Sequence, residues 1–479
     1  MASSTSSDLP PRRLALDAPR ERVLEQACRL IAEAWRGFDH ARPGQPAVDR
    51  RVRRLLGSAL PDAPTAVAEV IADAALVLDE SIAQPRPRYF AFVASSGLEV
   101  GVIADALAAC FDANLAVWAG AATEVEAQAV RWTGELVGYP AGGGTFTSGG
   151  TISNLTALAA ARERALPGCR RDGLGGRRAA VYCSADAHYS VDRAVELLGL
   201  GGRSVRVVAV DERRRMRPAP LAEAIDRDLR AGIVPVAVVA TAGTTLTGAV
   251  DPIAEIADVC SERAVWLHVD GAYGLPAAAV ASMRPAFAGL ERADSVSLDA
   301  HKWLYLPKAC GVVLVRDRAD LLAAFAHDEG YLPHDRSLEH AVDATLEYSR
   351  PFRALKLWMA LRAHGADAFR EAIEANLGQA RQLCELIDRS PELERLDDPQ
   401  LSIVPYRHVP AGVADLDDHN RRLALALQED ARVYVAPARV DGRVYLRPCF
   451  VNYRTRAGDV RALVDVTLEL GRAISRLAG

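Results

Sequence analysis

Three stretches of this 479-residue chain combine residue types that can do chemistry. The first is Gly142-Gly-Gly-Thr-Phe-Thr-Ser-Gly-Gly-Thr-Ile-Ser-Asn154, followed by a helical run over 155–164. A glycine-rich turn that opens a helix presents free backbone N–H groups and a positive dipole end, which suit a phosphate. Thr151 and Ser153 can add hydroxyl donors. The stretch is not a Walker loop, because no Gly-Lys-Ser/Thr follows. Taken alone it reads equally well as a flexible loop with ordinary N-capping. The second stretch is Trp266-Leu-His-Val-Asp270-Gly-Ala-Tyr-Gly274. An acid closing a buried apolar strand is costly unless it meets a cation or strong donors, such as a protonated ring nitrogen. A helix cap or structural ion pair would also explain it. The third stretch is Ser295-Val-Ser-Leu-Asp-Ala-His301-Lys302-Trp303. A lysine at a strand end can form an imine with an aldehyde, provided its surroundings keep part of the amine deprotonated. A surface lysine beside a packing tryptophan is the alternative. In so arginine-rich a chain, the three in this order carry more information than any one.

These groups need a scaffold. From about 86 to 350, short apolar runs alternate with helical stretches. Residues 179–183, 205–210, 234–240, 264–269, 295–298 and 311–315 read as buried strands, with helices at 221–231 and 252–262 among those between them. The alternation predicts an α/β domain with a mostly parallel sheet, whose ligand loops lie at the carboxyl ends of the strands. Asp270 precedes Lys302 by 32 residues, room for a strand–crossover–strand step. Before this region, helical periodicity covers 21–38 and 65–79, and Pro85-Arg86-Pro87-Arg88 breaks the pattern. After it comes a long helix from Pro351 to His364, more helix, and a hairpin-like pair at 432–435 and 443–447 around Asp441-Gly442. The expected divisions are an N-terminal helical segment over 1–85, a large domain over 86–350 and a small C-terminal domain over 351–479.

Composition sets outer limits. Half of the residues are hydrophobic and a quarter charged, the balance of a globular enzyme. The net charge of −5, with arginines spread along the chain, argues against a nucleic-acid partner. The eight cysteines form no C-x-x-C pair and no zinc-ligand spacing, so no metal is expected. The polar start, Met1 to Asp8, lacks the apolar run of a signal peptide. No long uncharged apolar stretch suggests a membrane span. A cytoplasmic location with reduced thiols is the resulting expectation.

The ordered motifs Thr147-Ser-Gly-Gly-Thr151, Ala187-His188-Tyr-Ser-Val-Asp-Arg193, Thr241-Ala-Gly-Thr-Thr245, His268-Val-Asp270-Gly-Ala272-Tyr and Asp299-Ala-His301-Lys302-Trp resemble the group II pyridoxal-phosphate decarboxylases. That family includes the aromatic-L-amino-acid, histidine and glutamate decarboxylases. The resemblance runs from about Pro87 to Gly365. It implies the aspartate aminotransferase type (fold type I) α/β architecture: a mostly parallel seven-stranded sheet, a smaller C-terminal α+β domain, and a homodimer. It also implies pyridoxal 5'-phosphate as cofactor and an L-amino acid, aromatic by the apolar pocket candidates, as substrate. Lys302 would hold the cofactor aldehyde, and Asp270 would pair with the ring nitrogen. His188 would stack on the ring and take part in proton transfer. Gly149, Gly150 and Thr151 would bind the phosphate, Thr245 and Ala272 would touch the ring, and His301 would lie beside the phosphate or the imine. Asp328-Glu-Gly-Tyr331-Leu-Pro-His334 resembles a mobile catalytic loop in which Tyr331 donates a proton to the substrate carbon. Tyr348-Ser-Arg-Pro-Phe-Arg353 resembles the start of the C-terminal domain. Arg447 is the candidate for the substrate carboxylate, and Phe92, Leu115 and Trp118 are candidates for the side-chain pocket. The sequence departs from the family pattern at Gly271, where an alanine is usual, and in the glycines at 142–144. Other readings are decarboxylation of an acidic or other non-aromatic amino acid, and an aldehyde synthase of the same family. The synthases tend to carry phenylalanine at the loop position, which Tyr331 disfavours.

Overall fold

The structure, a computed structural model, describes residues 16–38, 48–327 and 340–478. Its centre is a seven-stranded sheet: β1 (Gly143–Thr147), β2 (Arg178–Ser184), β3 (Val205–Val208), β4 (Ile233–Thr241), β5 (Trp266–Asp270), β6 (Ser295–Asp299) and β7 (Gly311–Val315). The spatial order is β1-β7-β6-β5-β4-β2-β3. β6, β5, β4, β2 and β3 run parallel, and β7 is antiparallel to both of its neighbours. β5, β6 and β7 are buried along their whole length, as a sheet covered on both faces requires. The carboxyl ends of β4, β5 and β6 therefore open onto one side, with Thr241, Asp270 and Asp299 as their last residues.

Six strands fall where the apolar runs predict them. The seventh, β1, lies in the glycine stretch that reads as a loop. Its glycines serve close approach to β7 rather than flexibility. A Cβ at Gly142 would lie 2.1 Å from the Arg316 carbonyl oxygen, and one at Gly144 would lie 2.5 Å from that of Val313. The turn that faces the cavity starts only after Thr147, and the helix Gly150–Ala165 follows it.

A second, antiparallel sheet lies in the C-terminal region, with β8 (Leu393–Arg395), β9 (Tyr406–His408), β10 (Pro437–Val440) and β11 (Arg443–Leu446) in the order β10-β11-β9-β8. The first hairpin strand begins at Pro437, not at Arg432. The turn is two residues, Asp441 and Gly442, both at positive φ, so the paired strand must run up to residue 440. Residues 432–435 instead feed the small-domain core through Val433 and Val435, and Tyr434 stacks on Tyr89 at 5.1 Å. One helix, Ala354–Asp388, links the two sheets and breaks its helical backbone at Gly365, φ 74°. Lys356 and Trp358, before the break, reach Asp105 and Gln128. Leu383 and Ile387, after it, lie in the small core.

The N-terminal helices Arg20–Phe38 and Val67–Asp79 bury no residue. They touch each other, with Gln26 Nε2 donating to the Ala68 carbonyl at 2.9 Å. Leu24, Val70 and Leu78 remain exposed. All eight cysteines are unpaired. Among the described residues no helix is long and apolar enough to cross a membrane.

Candidate active site

The strand ends and the glycine turn enclose a cavity of about 350 Å³. Lys302, Asp270, His188, His301 and Thr245 all line it, together with Gly149, Gly150, Thr151 and Ala272. Motifs as much as 150 residues apart in sequence thus share one space.

The phosphate side is the start of helix Gly150–Ala165. Its N-cap, Gly149, has no side chain and no side-chain cap bond forms, which leaves the first N–H groups available to an anion. Side chains are kept out for steric reasons. A Cβ at Gly150 would come within 2.9 Å of Ala272 Cβ and 3.1 Å of Asp299 Oδ2.

Lys302 sits on a single helical turn, Ala300–Trp303, directly after β6. Trp303 fixes that turn. Its ring is fully buried and stacks on Tyr273 at 5.2 Å, and its Nε1 donates to Asn376 Oδ1 at 3.0 Å. With the tryptophan held inside, Lys302 projects into the cavity, where its Nζ lies 2.9 Å from Asp299 Oδ2. His301 accepts the Cys310 N–H at Nδ1, 3.2 Å. Burial lowers its pKa, with Asp299 opposing, so the neutral ring carries its proton on Nε2, 3.7 Å from Asp299 Oδ2.

Asp270 is buried at the end of β5 and is well supplied with donors. Asn154 Nδ2 donates to Oδ2 at 2.8 Å, and the Ala272 N–H donates to Oδ1 at 3.1 Å. These bonds offset the cost of a buried carboxylate and leave it available to a cationic ring nitrogen. His188 Nδ1 contacts Ser190 Oγ at 2.9 Å. Burial lowers the His188 pKa as well, with Asp270 opposing.

Several residues that the motifs did not single out belong to this site. Asn154 and Asp299 are buried in it, and Thr241 closes β4 beside it. Asp299 lay inside a quoted motif, and an acid three residues before the lysine was the available signal. Thr241 Oγ1 and Asp299 Oδ1 are buried without a hydrogen-bond partner among the described residues. Such orphaned atoms are expected where a polar ligand belongs.

The substrate-side candidates lie elsewhere. Leu115 is 2% exposed and lines a separate cavity of about 220 Å³ beside Glu126. It is placed away from the cofactor cavity because the Leu115 N–H donates to the Arg350 carbonyl, while the Arg350 N–H donates to Asn114 Oδ1 and its guanidinium to the Leu115 carbonyl. Trp118 and Phe92 are 37% and 58% exposed and do not line the cofactor cavity within this chain. Phe92 holds a left-handed backbone, φ 57°, which is strained for a bulky residue. Arg447 is buried and donates to the Phe92 carbonyl at 3.2 Å. Burial lowers its pKa. Tyr331 lies outside the described residues.

A family model of the pyridoxal-dependent decarboxylase conserved domain matches residues 50–409. An aromatic-L-amino-acid decarboxylase of Bacillus atrophaeus is 34% identical over 81% of this chain and 82% of its own length. An L-2,4-diaminobutyrate decarboxylase of Rhizobium meliloti (strain 1021) is also 34% identical, over 87% of this chain and 84% of its own. The crystal structure of Oryza sativa TDC with PLP and tryptamine superposes with a TM-score of 0.89, at 28% identity, over 95% of this chain and 98% of that one. The chain belongs to the pyridoxal-dependent decarboxylase family. It has the fold type I architecture of that family, uses pyridoxal 5'-phosphate, and is a carboxy-lyase that decarboxylates an amino acid. The uncapped helix start, the buried acid and the cavity-facing lysine fit that cofactor's phosphate, ring nitrogen and aldehyde in turn.

Proposed function

We propose that the substrate is an aromatic L-amino acid, released as its amine and carbon dioxide, and that the residues of the cavity divide the work as follows. Pyridoxal phosphate, when bound, supplies an aldehyde for the substrate amine and a protonated ring that accepts the electron pair left as carbon dioxide departs. Lys302 holds the aldehyde between turnovers and takes it back at product release. Asp270 keeps the ring nitrogen protonated by electrostatic pairing. His188 covers the ring, while Thr245 and Ala272 position it. Gly149, Gly150, Thr151 and the Nε2–H of His301 hold the phosphate. Arg447 holds the substrate carboxylate and so determines which bond to the α-carbon breaks. Tyr331 donates the proton that replaces the carboxylate.

The convergence of Lys302, Asp270 and the uncapped helix start on one cavity supports the cofactor, and membership of the decarboxylase family supports the reaction. The aromatic preference is supported by the exposed rings of Phe92 and Trp118, by the strained backbone that presents Phe92, and by the likeness to the Bacillus enzyme. Strain of this kind collects at ligand sites. The N-terminal helices, which bury nothing in the single chain, support a homodimer whose interface they form. Light scattering at micromolar concentration tests the dimer, and a monomer would refute it. The substrate is tested by carbon dioxide release from the purified enzyme with each of the twenty amino acids. Release from tryptophan, tyrosine or phenylalanine above all others is expected. Release from glutamate, aspartate or diaminobutyrate instead would overturn the aromatic reading.

A further inference from the structure

A chain of buried side chains crosses the sheet from the start of β5 to its end. Trp266 Nε1 donates to Ser295 Oγ at 2.9 Å, and Ser295 Oγ lies 2.8 Å from His268 Nδ1. His268 Nε2 lies 3.0 Å from Asn154 Oδ1, and Asn154 Nδ2 donates to Asp270 Oδ2 at 2.8 Å. All five residues are buried, His268 and Ser295 completely.

The two ends of this chain are one-way groups. An indole N–H only donates, and an ionised carboxylate only accepts. Because Asp270 only accepts, Asn154 directs its Nδ2–H there and turns Oδ1 to His268 Nε2, which therefore carries the ring proton and leaves Nδ1 to accept from Ser295 Oγ. His268 is then the neutral Nε2–H tautomer and donates to Asn154 Oδ1. The same Oδ1 accepts from Ser297 Oγ at 2.8 Å, so the oxygen side of the Asn154 amide is held twice. The second Nδ2 hydrogen goes to Ser190 Oγ at 2.9 Å, and Ser190 lies 2.9 Å from His188 Nδ1. The Ser190 N–H donates to His188 Nδ1 at 3.3 Å, which places the proton of the neutral His188 ring on Nε2. A flipped Asn154 amide would set its oxygen against Asp270 and its N–H groups against the His268 Nε2–H and the Ser297 hydroxyl.

Resting on the reading that Asp270 pairs with the cofactor's ring nitrogen, we infer that Asn154 and His268 are positioning residues. They form a directional relay, anchored by Trp266, that aims protons at Asp270. Neither residue touches the reacting atoms. Their effect is to keep Asp270 a charged acceptor in one orientation.

The test uses full-length purified variants, each stripped of cofactor and titrated with pyridoxal phosphate, with the absorption band of the bound cofactor followed against pH. Melting curves check that each variant is folded. Leaving a buried polar group without its partner corresponds to about 10-fold or more in an equilibrium constant. His268→Leu should weaken cofactor binding by about that factor and shift the pH titration of the band. His268→Gln offers an acceptor and a donor in place of Nδ1 and Nε2–H, and should stay within about threefold of wild type. Trp266→Phe and Ser295→Ala should fall between the two. His188, Tyr273, Asp299, His301 and Lys302, the other titratable groups that line the cavity, are unchanged in all of these variants. Folded His268→Leu with wild-type affinity and titration would overturn the relay, as would His268→Gln as impaired as His268→Leu. If neither His268 variant folds, Trp266→Phe and Ser295→Ala decide by the same readouts, and wild-type behaviour in both overturns it. Asp270→Ala separates the two levels of the argument. If it too binds and titrates like wild type, the Asp270 assignment itself has failed. If it is impaired while His268→Leu is not, only the relay has.

Discussion

The floor of the cavity and its outer rim are built by different means. On the floor, Asp270, Asn154, His268 and Asp299 are all at least nine-tenths buried. Three of them are held by hydrogen bonds to neighbouring strands or to the helix after the glycine turn. The rim lies outside the cofactor cavity within this chain: Phe92 and Trp118 are exposed, and the buried Arg447 makes one side-chain bond among the described residues, to the carbonyl of Phe92. A floor fixed in this way suits a cofactor whose chemistry is the same in every turnover, whereas a rim of loops can change substrate without disturbing the sheet. In this chain, therefore, the residues assigned to the cofactor's ring nitrogen lie in the interior, and the aromatic candidates for the substrate pocket, Phe92 and Trp118, lie in exposed segments.

Substitutions can test that division, beginning with the largest effect. Lys302→Ala should abolish turnover and the absorption band of the lysine-bound cofactor while the protein stays folded. In the wild type, borohydride followed by peptide mapping should place the label on Lys302, and a label on another lysine would remove the floor's central assignment. Tyr331→Phe should lower amine formation by about 10²–10⁴-fold, the value of a positioned proton donor, and leave cofactor affinity unchanged. Aldehyde, ammonia and peroxide should rise as a share of product in air but not under nitrogen. An unaltered amine rate would make His188 the next candidate. Asp270→Ala should cost about 10²–10³-fold in kcat, comparable with losing one electrostatic contact to developing charge.

Phe92→Ala tests the rim. Losing one aromatic contact predicts a fall of about 3–10-fold in kcat/KM for an aromatic substrate, with no change in cofactor binding. A loss of cofactor instead would erase the distinction between floor and rim. The smallest effect concerns stability. Burial lowers the His268 pKa to about 4, so between about pH 6.5 and 4 the unfolded chain takes up a proton that the folded chain refuses. The contribution of this group is therefore lost as pH falls through that window, by about 1–2 kcal/mol at pH 5. Urea unfolding of wild type and His268→Gln at pH 7 and pH 5 should show the variant losing less stability between the two. An equal loss would mean that His268 is not kept neutral by the floor.

The same division explains what could be read from sequence. Asp270 and Lys302 were legible because each ends a run of apolar residues, and a costly charge at such a place calls for a partner. β5 and β6 were visible as those runs. β1 was not, because glycines demanded by the approach to β7 look the same as glycines of a turn. Asn154 was hidden for a different reason. It lies one helical turn past Gly150, and only the fold brings it between His268 and Asp270. Leu115 lines a separate cavity within this chain, because its ties to Arg350 decide which side of the loop it faces and an apolar residue carries no sign of that in sequence. The first hairpin strand was set five residues early, since 432–435 has strand-like composition but is spent on the small core.

The chain has only three lysines among its 57 basic residues. Lys308 is bonded to Gln84 at 2.8 Å, and Lys356 is buried against Asp105 and the Ala309 carbonyl. Guanidinium groups stay protonated and do not condense with carbonyls at neutral pH. A reactive aldehyde diffusing over this surface meets basic side chains that are nearly all arginines and cannot capture its carbon. Lys302 is left with little intramolecular competition from other side-chain amines. Selectivity for the correct attachment point is thus set partly by what the remaining basic residues are unable to do.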